Sequence, residues 1–296
     1  MKAIGLGQCS LDYITLANGF PAEDTKKEVL DFIVQGGGPV ATALVTLSRL
    51  GVKTSIIGLV SDDRAGDEIR KGLRGEGVDT RGLIVKKGGK SQCAFILVNS
   101  KNSSRTICWQ RPTVPAITPS EIDPALFKGA DFLLLDGLMP EASIHAASIA
   151  LKMNIPIMLD AGRVRPGMLK LASVSDYVVC SEEFISGMKM SMGDALGKLS
   201  GKKARAVTVT LGKKGSFTWH EGRTFKHKAY QVKAVDTTGA GDVFHGGYAY
   251  GVLQGWHMEQ IVRFASAVAA MKCTKLGGRS GIPTLQEAMR FLKGKR

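Results

Sequence analysis

The chain has 296 residues, 44% hydrophobic and 22% charged, a balance that excludes a largely disordered chain and leaves ample length for one large buried core. No apolar run reaches the ~18 residues of a membrane span, and the first residues enter a strand-like segment instead of a signal peptide's apolar stretch, so the expected setting is the cytoplasm. Net charge is +14, which favours anionic ligands, but 6% aromatics and a basic tail confined to Lys293-Gly294-Lys295-Arg296 argue against nucleic acid as the main partner. The five cysteines form no C-x-x-C pair and the five histidines show no metal-ligand spacing, so neither a disulfide framework nor a zinc site is expected.

In chain order, near-continuous apolar runs at 2–7, 54–58, 131–135, 155–159, 176–179 and 206–211 predict short buried strands. Amphipathic stretches at 40–50, 66–76, 141–153, 241–253, 259–272 and 284–292 predict helices. Buried strands alternating with helices imply an α/β fold with a largely parallel central sheet covered on both faces. Two stretches break the rhythm. Segments 11–16 with 28–35, and 91–99 with 105–109, read as strand pairs without intervening helices, the second closed by a turn at Lys101-Asn102-Ser103-Ser104. Such insertions, at about 11–35 and 91–110, predict a small second sheet acting as a lid on a single domain spanning 1–296.

The 36 glycines gather in compact clusters, which points to backbone approaching ligands. The strongest cluster is Asp236-Thr237-Thr238-Gly239-Ala240-Gly241-Asp242, after a strand-like 230–235 and opening a helix. Small residues there let amide groups converge on an anion, and the helix N-terminus adds partial positive charge. Asp242, in the first turn, is placed either to accept a proton from a hydroxyl nucleophile or to cap the helix. Gln35-Gly36-Gly37-Gly38-Pro39 opens another helix and reads either as a close-approach loop with a ligand site near Thr42 or as a flexible turn. Gly5-Leu6-Gly7-Gln8-Cys9-Ser10 lacks the third glycine of a dinucleotide fingerprint, and Gly212-Lys213-Lys214-Gly215-Ser216 lacks phosphate-loop spacing. His245, one turn after Asp242, reads as a substrate contact or as a hydrogen-bonded core residue.

Taken together, these segments resemble the ribokinase-like, or pfkB, carbohydrate kinases over residues 1 to about 290. The stretch 236–247 resembles that family's second signature, and 37–51, ending in Arg49-Leu50-Gly51, resembles the first. Further matches are Gly58-x-x-x-Asp62-Asp63-x-x-Gly66, Thr210-Leu211-Gly212-x-x-Gly215 and Gly277-Gly278-Arg279-Ser280-Gly281-Ile282-Pro283. The resemblance implies a three-layer α/β/α sandwich with a β-sheet lid, homodimerising through that lid. It implies ATP-dependent phosphorylation of a sugar hydroxyl, with Asp242 as general base and the amides of Gly239, Ala240 and Gly241 as anion hole. It implies sugar contacts by Asp12, Gly37 and Gly38 and nucleotide contacts by Thr210, Gly212 and Gly215. Mg²⁺ would accompany ATP, and Asp236 and Thr238 fall where many members bind a monovalent cation such as K⁺.

Two departures stand out. Thr42 replaces the asparagine of the first signature, and the Asn-x-x-Glu motif that organises metal and phosphate becomes Ser181-Glu182-Glu183-Phe184, leaving Glu182 or Glu183 as candidate Mg²⁺ residues. The motifs around Thr42, His245 and Arg279 look like the sulfofructose kinase branch. Leu138 and Trp109, however, stand where that branch uses polar or basic groups, leaving Arg111 or Arg163 to meet an anionic substrate. The expected substrate is a ketose or related sugar. Tyr13 and Trp109, which could stack a base, keep a nucleoside kinase as the alternative, and a catalytically weak ligand sensor on the same fold is the other.

Overall fold

The computed structural model describes residues 1–201 and 203–294; Lys295 and Arg296 of the basic tail lie outside the described residues. The first half runs β1 (Lys2–Leu6), β2 (Ser10–Ala17), β3 (Asp31–Gly37), α1 (Pro39–Arg49), β4 (Lys53–Ser61), α2 (Arg64–Gly75), β5 (Val78–Lys86), β6 (Cys93–Asn99) and β7 (Arg105–Gln110). The second half runs β8 (Phe132–Leu135), α3 (Pro140–Lys152), β9 (Ile157–Ala161), α4 (Met168–Val174), β10 (Tyr177–Ser181), α5 (Glu182–Gly187), α6 (Met192–Leu199), β11 (Ala206–Thr210), β12 (Ser216–His220), β13 (Arg223–His227), α7 (Ala240–Leu253), α8 (Met258–Lys272) and α9 (Leu285–Lys293).

A nine-stranded sheet has the order β13-β12-β11-β10-β9-β8-β1-β4-β5. Its pairs are parallel from β11 across to β5, and only β12 and β13 join antiparallel at one edge. Alternation sorts the strand residues between two cores. Phe132, Leu134 and Val179 face α1, α2, α7 and α8, whereas Leu133, Leu135 and Val178 face α3, α4 and α6. Each such side chain, once buried, contributes about 1.5–3 kcal/mol, so the two-sided core dominates stability.

The chain winds one way from β1 to β4 and β5, then returns on the other side of β1 with β8. This reversal opens a crevice beyond the carboxyl ends of the central strands, where open α/β sheets bind ligands. The lid grows from the same edge. Its four strands take the order β3-β2-β6-β7, with β2 and β6 parallel, so the two expected strand pairs join into one sheet. Gln35, Asp12, Ala94 and Trp109 form one cross-strand row and so share a face. On that face Ile14, Ala94, Ile96 and Val98 pack over Leu276, forming a third core beneath the lid.

Two expectations need correction. Residues 230–235 form no strand: the Val235 and Asp236 N–H groups donate to Cys273 O at 2.8 and 3.2 Å, tying the segment to the end of α8 instead of to a neighbouring strand. The strand expected to start at 28 begins at Asp31, after an exposed, irregular stretch.

Candidate active site

Gly239 enters the second signature with φ +73, and a side chain there would approach the Gly278 backbone at 3.0 Å. Glycine is therefore required by both conformation and space. No side chain caps α7. The Ala240 N–H is turned back to Thr237 O at 3.2 Å, while those of Gly239 and Gly241 have no acceptor among the described residues. Two of the three expected anion-hole amides are thus open, beside the positive end of the α7 dipole.

Asp242 lies in the first turn of α7, half-buried, and its carboxylate accepts no hydrogen bond among the described residues, so it does not cap its own helix. Burial, reinforced by the nearby Asp160 carboxylate, pushes its pKa up to about 6, against the opposing pull of His245 and Arg105. His245 is buried: Nδ1 lies 2.6 Å from Gly241 O, and Nε2 lies 3.2 Å from Val179 O and 3.4 Å from Asp160 Oδ1. It is a hydrogen-bonded core residue behind the general-base candidate, with no ring nitrogen left for substrate.

The Asp12 carboxylate faces the same crevice from β2, buried and accepting from Ser10 Oγ at 2.7 Å, with its pKa raised by that burial. A side chain on Gly37 would run into this carboxylate, and one on Gly38 (φ +95) would strike the Gln8 carbonyl, which explains the glycine run. The Thr42 hydroxyl is 2% exposed and accepts from Arg279 Nε at 3.3 Å, while Arg279 Nη2 donates to Gly37 O at 3.0 Å. A buried guanidinium therefore stands between Thr42 and the glycine run. Arg49 holds the loop that carries it. Its Nη1 donates to Arg279 O and Ile282 O at 2.9 and 3.0 Å, and its Nη2 pairs with Glu76 at 2.6 Å. The Arg-Leu-Gly end of the first signature is therefore an anchor for the C-terminal loop.

On the other side of α7 lies a cavity of about 300 Å³. Thr210, Gly212 and Gly215 line it with Ala240, Gly241 and Phe244, and its floor comes from Ser266, Ala269 and Ala270 of α8. Gly212 and Gly215, at φ +56 and +99, turn the chain around its rim. A largely apolar cleft ending at open helix amides suits a nucleotide, base inward and phosphates toward α7.

The remaining expected residues are placed as follows. Glu182 and Glu183 begin α5 behind the Ser181 cap, exposed and paired with Lys214 at 3.6 Å and Arg163 at 2.7 Å. Among the described residues no group of three or more metal-ligating side chains gathers. A Mg²⁺ bound mainly by nucleotide phosphates and water does not need such a cage. Trp109 shares the inner row of the lid with Asp12, but both it and Arg111 are exposed, the guanidinium lying 4.9 Å from the indole centre. Tyr13 stacks on Phe95 at 5.2 Å on the outer face, which removes it from any role in stacking a nucleoside base. Asp236 is buried, its Oδ1 and Oδ2 accepting from Thr238 N and Gly277 N at 2.8 Å each, while the buried Thr238 hydroxyl has no partner among the described residues.

Sequence reasoning missed Arg105 and Asp160, and it placed Arg279 in a matching motif without giving it a contact in this site. Arg105, at the start of β7, donates from Nη1 to Thr237 Oγ1 at 2.8 Å, and Ser103 Oγ donates to Ala234 O at 2.7 Å, so the lid hairpin rests on the anion-binding turn.

Known proteins resemble this chain over nearly its whole length. The profile of the pfkB family carbohydrate kinases matches residues 2–285. The chain is 28% identical to the ribokinase of Haemophilus influenzae, over 97% of each sequence. It is 26% identical to the 5-dehydro-2-deoxygluconokinase of Shouchella clausii, over 96% of this chain and 93% of that one. The solved ribokinase of Thermotoga maritima superposes with a TM-score of 0.83 at 25% identity, covering 98% of this chain and 99% of the other.

Proposed function

The chain belongs to the pfkB family of carbohydrate kinases, and from that premise we propose that it transfers the γ-phosphoryl group of ATP to a primary hydroxyl of a ketose or related sugar, with Asp242 as general base. As a member of that family it is a transferase that uses ATP and acts on a sugar. The observation that carries the finer reading is the Asp242 carboxylate, which accepts no hydrogen bond among the described residues and lies one residue beyond the Gly241 amide at the cavity.

In this reading the sugar lies between Asp12 and the Gly37-Gly38 backbone, with one hydroxyl directed at Asp242. The carboxylate accepts the hydroxyl proton as the oxygen attacks the γ-phosphorus, and the bond to the bridging oxygen breaks, releasing ADP. The open amides of Gly239 and Gly241 stabilise charge on the phosphoryl oxygens. Mg²⁺ bound with ATP would supply charge neutralisation at the nucleotide's phosphates. The lid hairpin excludes water and so limits ATP hydrolysis.

The outer lid face carries Phe32, Val34 and Phe95, which are 52%, 46% and 59% exposed. That apolar patch supports a homodimer through the lid, and light scattering of wild type against Phe95→Glu tests it, a monomeric wild type refuting it. No helix among the described residues is long and apolar enough to cross a membrane, and the five cysteines are free, which accords with a reducing, cytoplasmic setting.

The test of function is ADP release with Mg²⁺-ATP against ketoses, aldopentoses, sugar acids, sulfofructose and nucleosides. Sugar-dependent release that Asp242→Asn abolishes is the expected result. Release with nucleosides alone would transfer the assignment to that class.

A further inference from the structure

Lys272 is the last residue of α8 and is fully buried, at 0% exposure. Its Nζ donates to the main-chain carbonyl oxygen of Asp236 at 2.8 Å, its one hydrogen bond among the described residues. A buried ammonium with a single neutral acceptor is costly unless surrounding charge offsets it. Burial lowers its pKa from the ordinary lysine value and nearby Arg105 acts in the same direction, against the opposing pull of the Asp236 and Asp242 carboxylates, to which the carboxyl end of α8 adds its negative dipole.

The location gives this arrangement its meaning. Asp236 starts the turn that presents the Gly239 and Gly241 amides. Its carboxylate is fixed by Thr238 N and Gly277 N, and its N–H by Cys273 O. The carbonyl that Lys272 grips is thus part of one rigid unit joining the turn, the end of α8 and the C-terminal loop.

The same carbonyl is where the resemblance implies a monovalent cation, and the residues present do not fit one. The Asp236 carbonyl oxygen is already taken by a fixed positive charge, which repels a second cation. A K⁺ held mainly by backbone oxygens would have to share the Asp236 carbonyl with the Lys272 ammonium, and the Thr238 hydroxyl, unpartnered among the described residues, adds one neutral oxygen. An ammonium matches K⁺ closely in size and charge. We propose that Lys272 is the built-in cation of the anion-binding turn: its ammonium stands where a monovalent metal ion would sit, so the protein works without K⁺. It is a positioning residue that holds the Asp236 carbonyl, and with it the amides that meet the phosphoryl group.

The rate prediction rests on the kinase reading, whereas the binding prediction does not. Crystals of the wild-type chain soaked in Rb⁺ or Tl⁺ are expected to show no anomalous peak at the Asp236 carbonyl. Turnover at constant ionic strength is expected to agree within about twofold between KCl and tetramethylammonium chloride. Lys272→Met is expected to lose at least tenfold in rate in tetramethylammonium and to recover most of it in K⁺. If that variant folds poorly, its thermal midpoint is expected to rise with K⁺ and not with tetramethylammonium. A heavy cation on Asp236 O in the wild type overturns the proposal, as does saturable K⁺ stimulation of the wild type. So does a Met variant that K⁺ neither reactivates nor stabilises. If no sugar is turned over, the kinase reading fails and the diffraction result still decides this one.

Discussion

Arg105 on the lid and Thr237 on the anion-binding turn are joined by one hydrogen bond of 2.8 Å, Nη1 to Oγ1, between residues 132 positions apart. The lid therefore touches the turn that opens α7 directly. A hydrogen bond from a charged donor is worth about 1.5–3 kcal/mol, which corresponds to roughly 10–100-fold in rate or affinity. Arg105→Ala and Thr237→Val should each lower kcat/KM for ATP by about that factor. The double variant should be little worse than either single one, because both remove the same contact. Fully additive losses in steady-state kinetics would show that the two side chains act separately.

Asp242→Asn should lower kcat by about 10²–10⁴ with little change in the KM for sugar, the scale expected for a positioned base. The same change should raise thermal stability. Burial and Asp160 lift the Asp242 pKa to about 6, so the folded state disfavours the ionised form, and stability is lost as pH rises from the unfolded value toward 6. Asparagine carries no such cost. Calorimetry should show the variant melting about 2–5 °C above wild type at pH 7.5 and level with it near pH 4. A variant that melts lower at pH 7.5 would contradict this electrostatic account.

The proposed mechanism needs Asp242 ionised, so on that reading kcat/KM should fall about tenfold per pH unit below 6. Because Asp160 raises the Asp242 pKa, Asp160→Asn should move that acid limb to lower pH. The pH–rate profiles of the two proteins decide it, and coincident acid limbs would remove Asp160 from any influence on the base.

Arg279→Met removes a buried guanidinium that donates to Thr42 and Gly37. Breaking such a buried charged contact costs about 3 kcal/mol or more, so urea unfolding should show a clearly lowered midpoint. The KM for sugar should rise while that for ATP stays near wild type, since Arg279 borders the Gly36–Gly38 side and not the nucleotide cavity. An equal rise in both would place Arg279 in the general scaffold.

Much of the frame was legible in local pattern. The runs at 131–135 and 176–179 are apolar on both faces because both faces are covered, and β8 and β10 are found there. β5 escaped notice because Asp79, Arg81 and Gly82 interrupt its apolar residues, which an edge strand beside an irregular register tolerates. Segment 230–235 misled for the opposite reason: Tyr230, Gln231, Val232 and Ala234 line the cavity beside α7 instead of pairing with a strand. In the candidate site, Asp12, Gly37, Gly38 and Asp242 could be nominated from the sequence because they sit inside short contiguous motifs. The contacts of Arg105, Arg279 and Lys272 could not, although Arg279 falls within a matching motif. Each residue is one cation among forty, and its meaning comes from a partner brought close only by the fold.

The parallel pairing of β2 with β6 carries a consequence for folding. Leu11 meets Cys93 and Ala17 meets Asn99 along the whole strand, so the centre of the lid joins segments separated by α1, β4, α2 and β5. Parallel pairing across such a span cannot form as a local hairpin, because the loop-closure entropy must be offset by a framework already in place. The central sheet shares this character, since β1 pairs in parallel with β8 from Ala3 to Phe132, so neither sheet can be completed from local contacts. Asp12, on β2, therefore gains its cross-strand neighbour Ala94 only once distant segments of the chain have come together.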